Sequence, residues 1–264
     1  MSFAMTPPIQ LISTDFDGTL HAEFEDPPVP QDLQALIGDL QKRDARWVIN
    51  TGRDLSSVME GIARSRLSIQ PDFLVTVERE IFIHDGSRYA PHAPWNDRCR
   101  REHEELFMRV RPQVPRLTRW VTERFPATIY EDAFSPFCLI AGNNADADRI
   151  QEFVDAFCAT LPGLTLVRND VYARFSHASF NKGTALAEIG RLLGVPAQRT
   201  FAAGDHLNDL PMLSTEFAHC LVAPSNAVPE VKDAVRRQHG YLSHQPWGHG
   251  VARGLEFHLD KASK

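Results

Sequence analysis

Ile9-Gln10-Leu11-Ile12-Ser13-Thr14-Asp15-Phe16-Asp17-Gly18-Thr19-Leu20 is the stretch whose reading decides the fold. Its apolar start reads as a short buried strand, and two carboxylates stand two residues apart at the tip, followed by glycine. Such an anionic pocket attracts a divalent cation and can hold an electrophile between its oxygens. Three further pieces lie at increasing distance: Thr51-Gly52-Arg53, Asn181-Lys182-Gly183 and Gly204-Asp205-His206-Leu207-Asn208-Asp209. Each is ordinary alone. Together, in this order, they describe a phosphoryl-transfer site.

Working outward, the first part of the chain alternates strands with amphipathic helices. Leu33, Leu36, Ile37 and Leu40 follow the spacing of one helical face, and Trp47-Val48-Ile49-Asn50 reads as a buried strand. Leu55, Val58, Met59 and Ile62 repeat the helical pattern behind Asp54 as N-cap, and Phe73 to Val77 is another strand. This alternation predicts parallel strands with right-handed crossovers. The rhythm then changes. Ile81-Phe82-Ile83 before His84-Asp85-Gly86-Ser87 reads as a hairpin. Trp95 to Arg124 reads as helix broken by Pro112 and Pro115. Strands are expected at Ile129-Tyr130, Phe137 to Ile140, Leu164 to Val167 and Tyr172 to Phe175, with a helix over 145–160 among them. From Lys182 the first rhythm returns. A helix ends at Gly194, Thr200 to Gly204 is a strand, Leu210 to Leu213 starts a crossover, His219 to Val222 is a strand and Val228 to Arg236 a helix. The fold class is α/β: a Rossmann-like parallel-sheet core (1–86 and 178–264) interrupted by an inserted α+β domain (87–177).

The bulk properties fit. At 264 residues, with 43% hydrophobic and 23% charged residues, the chain can bury a core without disulfides. A net charge of −6 without a long basic run gives nucleic-acid binding no support. No apolar stretch approaches the roughly 20 residues of a membrane helix. Residues 1–8 lack the basic start and apolar core of a signal peptide. Four dispersed cysteines read as reduced, mostly buried thiols, so a cytoplasmic location is expected.

Ligands of open α/β sheets bind beyond the carboxyl ends of the strands, where all four motifs fall, at strand ends or the helix starts beside them. Phosphate-ester cleavage needs a nucleophile, a proton donor for the leaving alkoxide, and cations for the phosphoryl oxygens. Asp15 is the expected nucleophile and Asp17 the general acid, then base. Gly18 lets the backbone bend close to the phosphate. Thr51 brings a hydroxyl and backbone N–H groups to an anion, and Lys182 cancels repulsion between Asp15 and the phosphate. Asp205 joins Asp15 and the backbone carbonyl of Asp17 as hard ligands to Mg²⁺, and Asp209 orients a metal-bound water or Lys182.

These motifs resemble the haloacid dehalogenase-like phosphatase superfamily. The likeness continues through Met212, Ser225-Asn226-Ala227-Val228-Pro229-Glu230-Val231-Lys232 and Gly248-His249-Gly250-Val251, and the insertion resembles the Cof-like, type IIB cap. The resemblance implies a Rossmann-like core, Mg²⁺ dependence and the catalytic roles above, with Gly18, Gly52, Arg53 and Asn208 binding substrate. Val77-Glu78-Arg79-Glu80-Ile81 stands where many Cof-like members carry Asn-Gly-Ala. Its Glu-Ile, with a later Trp such as Trp95, is closer to sucrose-phosphate phosphatase-like proteins. The expected partner is a small phosphorylated metabolite, a sugar phosphate first, with neither nucleic acid nor membrane. Nothing in the sequence sets an oligomeric state.

Two alternatives stand beside this one. A phosphomutase of the phosphomannomutase type would need basic residues for a second phosphate, for which Arg109, Arg111, Arg116 and Arg119 are available. A non-enzymatic binding module would be expected to have lost a nucleophile or metal ligand, and none is missing. A dehalogenase or P-type ATPase domain is disfavoured by the carboxylate at Asp17.

Overall fold

The computed structural model describes residues 7–262, so most of the segment read as lacking a leader (1–6 of 1–8) lies outside the described residues. The chain opens with β1 (Leu11–Thr14), α1 (Gln31–Gln41), β2 (Arg46–Asn50), α2 (Leu55–Ser65), β3 (Phe73–Thr76), β4 (Glu80–His84) and β5 (Tyr89–Pro91). Then come α3 (Ala93–Val110), α4 (Val114–Thr122), β6 (Ala127–Tyr130), β7 (Cys138–Ala141), α5 (Asn144–Cys158), β8 (Leu164–Asn169) and β9 (Tyr172–His177). It closes with α6 (Lys182–Leu193), β10 (Thr200–Ala203), β11 (Cys220–Ala223), α7 (Pro229–Arg237), β12 (Tyr241–Leu242) and α8 (Trp247–Ala262). Two compact units result: residues up to His92 together with those from Lys182 onward, and the insertion Ala93–Asn181.

The first unit is built on one sheet in the order β12-β11-β10-β1-β2-β3-β4-β5. Neighbours from β12 to β3 pair in parallel, and β4 and β5 are added antiparallel. The inner strands β1, β3 and β10 are buried at every position, as expected where helices cover both faces of a parallel sheet. Ile12, Trp47, Ile49, Phe201 and Val222 from the strands share one core with Leu33, Ile37 and Leu40 of α1 and Val251 and Leu255 of α8. Asp54 caps α2 by accepting from the Ser57 N–H at 2.8 Å, and Gly194 ends α6 in the left-handed region (φ +67°).

Several expectations are corrected here. Residues 87–92, grouped by the sequence with the insertion, contain β5, which pairs with β4 in the core sheet. The backbone N–H of His92 donates to Ile81 at 2.8 Å, and its ring lies 3.2 Å from Glu188 on α6. Met59 is exposed, since Val58, Gly61 and Ser65 form the buried side of α2. The crossover that starts at Leu210 joins the parallel strands β10 and β11 with a 3₁₀ turn (Leu207–Asp209) and no α-helix among the described residues. β12 and α8 had no counterpart in the sequence reading.

The inserted unit is an antiparallel sheet, β6-β7-β9-β8, with α3, α4 and α5. Pro112 falls in a 3₁₀ turn (Arg111–Gln113) and Pro115 in the first turn of α4, where a missing N–H costs nothing. Leu106, Val110, Leu117, Val121, Ile150 and Val154 from the helices pack with Phe137, Leu139 and Phe175 from the sheet side. Trp95 is buried, edge-on to Phe180 at 5.2 Å and beneath Arg98 at 4.9 Å. No described helix is long and apolar enough to cross a membrane, and all four cysteines are free thiols. Phe137 is fully buried and stacks on Phe175 at 4.8 Å, so Phe137→Ala should cost about 3–5 kcal/mol, seen as a lower urea midpoint.

Candidate active site

Register brings the motifs to one level. Thr14 of β1 pairs with Ala203 of β10 on one side and Ile49 of β2 on the other. Asp15, the Gly204–Asp209 loop and Thr51 therefore leave three adjacent strands together. Strand order turns at this place: β2 and β3 lie to one side of β1, and β10 to β12 to the other. Crevices at such switch points are where α/β sheets bind ligands.

Lys182, the first residue of α6, is fully buried, and its Nζ lies 2.6 Å from both Asp15 Oδ1 and Asp209 Oδ1. Two neighbours put it there. The Asn50 amide donates to the Lys182 carbonyl at 3.0 Å, tying α6 to the end of β2. Gly183 lets the helix approach closely, since a Cβ there would sit 2.4 Å from the Pro211 carbonyl. The other oxygen of Asp209 accepts from the backbone N–H groups of Asp205 (2.8 Å) and His206 (2.9 Å), and His206 Nδ1 accepts from the Leu207 N–H. Asp209 is thus used up in shaping its own loop and holding the lysine.

Asp205 accepts the Thr19 hydroxyl at 2.6 Å. Gly18 adopts φ +77°, and a Cβ there would meet Asp205 Oδ2 at 2.6 Å, so glycine is needed for conformation and for space. The Asn226 amide donates to the Gly18 carbonyl at 2.8 Å and lies 3.5 Å from Asp205 Oδ2. Asp17 is engaged elsewhere: Arg53 donates to both its oxygens, Nε to Oδ2 at 2.7 Å and Nη2 to Oδ1 at 2.6 Å. Thr51 is buried and its hydroxyl accepts from the Arg53 N–H at 3.2 Å across the Gly52 bend. Asn208 is buried and donates its amide to Glu78 at 3.1 Å.

The electrostatics follow from one buried cation among several acids. Burial, then Asp209, push Asp15 well above the usual carboxylate range, with Lys182 offsetting only part. Burial and Asp209 push Asp205 up to about 7. Burial works against the Lys182 charge, but Asp15 and Asp209 outweigh it and hold the ammonium above its ordinary value. Arg53 is likewise raised by its bond to Asp17. Asp15, Asp205 and Asp209 offer oxygens within 4.8 Å of one another. Asp209 is already committed, so Asp15 and Asp205 are the hard donors left for an ion, and their surplus negative charge suits Mg²⁺. The Asp17 side chain, paired with Arg53, is not in that group.

Thr19, Asn50, Glu78 and Asn226 reach the site without having been assigned a role from the sequence. Thr19 and Asn226 lay inside the quoted segments and Asn50 directly precedes Thr51, so position was an available signal. Glu78 gave none beyond the departure from Asn-Gly-Ala.

A stability consequence follows for the protein without divalent cations. Folded Asp205 holds its proton up to about 7, whereas an unfolded aspartate releases it near about 4. The native state therefore binds more protons across that interval, and stability falls as pH rises through it. The Tm measured in EDTA should be higher at pH 5.5 than at pH 7.5, and Asp205→Asn should flatten the difference.

The haloacid dehalogenase-like hydrolase family matches residues 122–253, half of the chain, and the sucrose-6F-phosphate phosphohydrolase family matches residues 8–120. A phosphoglycolate phosphatase from Methanothrix thermoacetophila is 28% identical over 134 residues, 51% of this chain and 56% of that protein. The 5-amino-6-(5-phospho-D-ribitylamino)uracil phosphatase YitU of Bacillus subtilis is 43% identical over 60 residues, 23% of this chain and 22% of that protein. The chain thus spans at most 56% of the length of these curated relatives. The sucrose-phosphatase of Synechocystis sp. PCC6803, solved with sucrose and phosphate, shares the fold with a TM-score of 0.71 at 17% identity, over 96% of this chain and 98% of that one. With a parallel sheet, four motifs at its switch point and a family match over half its length, the chain belongs to the haloacid dehalogenase-like hydrolases.

Proposed function

We propose that this chain is a Mg²⁺-dependent phosphatase that hydrolyses a small phosphomonoester, a sugar phosphate, through an aspartyl-phosphate intermediate. The observation that carries the reading is the fully buried Lys182 ammonium, 2.6 Å from both Asp15 and Asp209, at the ends of the core strands. An ammonium placed there offsets the charge of Asp15 as a phosphate dianion approaches it. Asp15, Asp205 and the backbone carbonyl of Asp17 would hold Mg²⁺, which when bound supplies positive charge for the phosphoryl oxygens.

Asp15 attacks phosphorus, a new P–O bond forms, and the bond to the leaving alkoxide breaks as Asp17 gives that oxygen a proton. In the second step water adds to phosphorus, Asp17 takes its proton, and the bond to Asp15 breaks to release inorganic phosphate. The Asp17–Arg53 pair sets a condition on this sequence. Both oxygens of Asp17 are occupied as acceptors of Arg53. Arrival of substrate has to draw Arg53 onto an oxygen of its own, which frees Asp17 to carry the proton. Gly18, Gly52, Thr51 and Asn208 bind the phosphoryl group in this reading, and Asp209 orients Lys182. Support for a sugar phosphate comes from the match of residues 8–120 to the sucrose-6F-phosphate phosphohydrolases. The free thiols suit a cytoplasmic enzyme.

The test is turnover of p-nitrophenyl phosphate and a panel of sugar phosphates. Asp15→Asn should lower kcat by roughly 10³-fold or more while leaving the protein folded. Treatment with EDTA should abolish turnover and added MgCl₂ restore it. Undiminished hydrolysis by the Asp15→Asn variant rejects the reading.

A further inference from the structure

The turn joining β3 to β4 is built against backbone preference. Val77 (φ +44°) and Glu78 (φ +69°) are successive non-glycine residues in the left-handed region, and valine is β-branched. Turns of this kind normally take Asn or Gly there. Strain of this sort persists only where the surroundings over-determine it, and it marks functional sites more often than neutral ones. Here the turn is over-determined on the motif side. The Val77 N–H donates to the Arg53 carbonyl at 2.8 Å, and the Glu78 N–H to the Thr51 carbonyl at 2.9 Å. The backbone of the turn therefore grips both ends of Thr51-Gly52-Arg53.

The Glu78 side chain makes a second connection. It is 6% exposed, and its Oε1 accepts the Asn208 amide at 3.1 Å. A carboxylate accepts and cannot donate, so the NH₂ of Asn208 is compelled to face it and the orientation of that carboxamide is fixed. Asn208 lies in the same 3₁₀ turn as Asp209, whose carboxylate shapes the Asp205–His206 backbone and holds Lys182. Glycine would satisfy the turn with less strain, but it would lose this bond.

We propose that Glu78 is a positioning residue: its backbone and side chain together lock the Thr51–Arg53 loop to the Asp205–Asp209 loop, holding the phosphate-binding groups of both in register. The placement of phosphate in this crevice rests on the phosphatase reading above. The proposal has a sign that separates it from simple electrostatics. As a bare negative charge near Lys182, Glu78 would repel phosphate, and removing it would tighten binding. As a positioning group, its loss loosens Asn208 and weakens binding.

The experiment is calorimetric titration with inorganic phosphate in the presence of Mg²⁺, alongside thermal unfolding, for the full chain and the variants Glu78→Gly and Glu78→Gln. Glu78→Gly should keep or raise Tm, because glycine accepts φ +69° without strain, yet weaken phosphate binding by on the order of tenfold. Glu78→Gln keeps an acceptor for the Asn208 amide while removing the charge, so its affinity should equal or exceed that of the wild type. The proposal is overturned if Glu78→Gly binds phosphate as well as or better than the wild type, if both Glu78 variants are weakened equally, or if the loss of affinity comes with a sharp fall in Tm. A wild-type chain that binds phosphate but hydrolyses no phosphomonoester would defeat the phosphatase reading alone, leaving this test intact; one that binds no phosphate would defeat both.

Discussion

A single ammonium group, buried completely between two carboxylates, is the contact on which the site depends. Taking a lysine charge out of water costs several kcal/mol, and Lys182 is tolerable only because Asp15 and Asp209 both stand at 2.6 Å. The three residues come from the tip of β1, the start of α6 and the loop after β10, with Asp15 and Lys182 separated by 167 positions in the sequence. Removing either carboxylate leaves a poorly compensated buried charge, a change that typically costs about 3–5 kcal/mol. The pair interactions that prepare the site for chemistry are therefore also the ones that hold distant segments of the core together.

Around this cation the balance of charge is acidic. One ammonium faces Asp15, Asp205 and Asp209, and the two acids that are not structurally spent lean toward their protonated forms. Arg53 does not relieve them, because it is bound to Asp17. Two basic groups thus have different duties. Lys182 is fixed in the interior, while Arg53 sits on a half-exposed partner from which it can be drawn away.

Much of this was legible in the sequence because parallel sheets write themselves plainly. Fully apolar strands such as Trp47 to Ile49, helical spacing such as Leu33–Ile37–Leu40, and an N-cap at Asp54 are local signals, and each appears where local physics puts it. The motif residues were legible because they stand at the ends of those strands. What escaped was set by non-local contacts. The two-residue β12 is too short to carry periodicity, and α8 begins among Gly248 and Gly250, poor helix formers whose lack of a side chain allows close packing on Leu20 and Pro224. Leu210 to Met212, read as the start of a crossover, is spent in turns that bring Met212 beneath Ser13 and Asn50. The pairing of Arg53, expected on substrate, with Asp17 and the link between Glu78 and Asn208 across 130 residues have no pattern to announce them.

The two crossings between core and insertion are stitched to each other on the core side. His92, where the first core segment ends, is hydrogen-bonded to β4 through its backbone and meets Glu188 of α6 through its ring. Glu188 is six residues past Lys182, where the second segment begins, or about 9 Å along the helix axis. The exit and re-entry points are thereby anchored side by side on one scaffold. All eight strands of the core sheet come from the segments on either side of the insertion, so its register is set without any strand from the inserted unit.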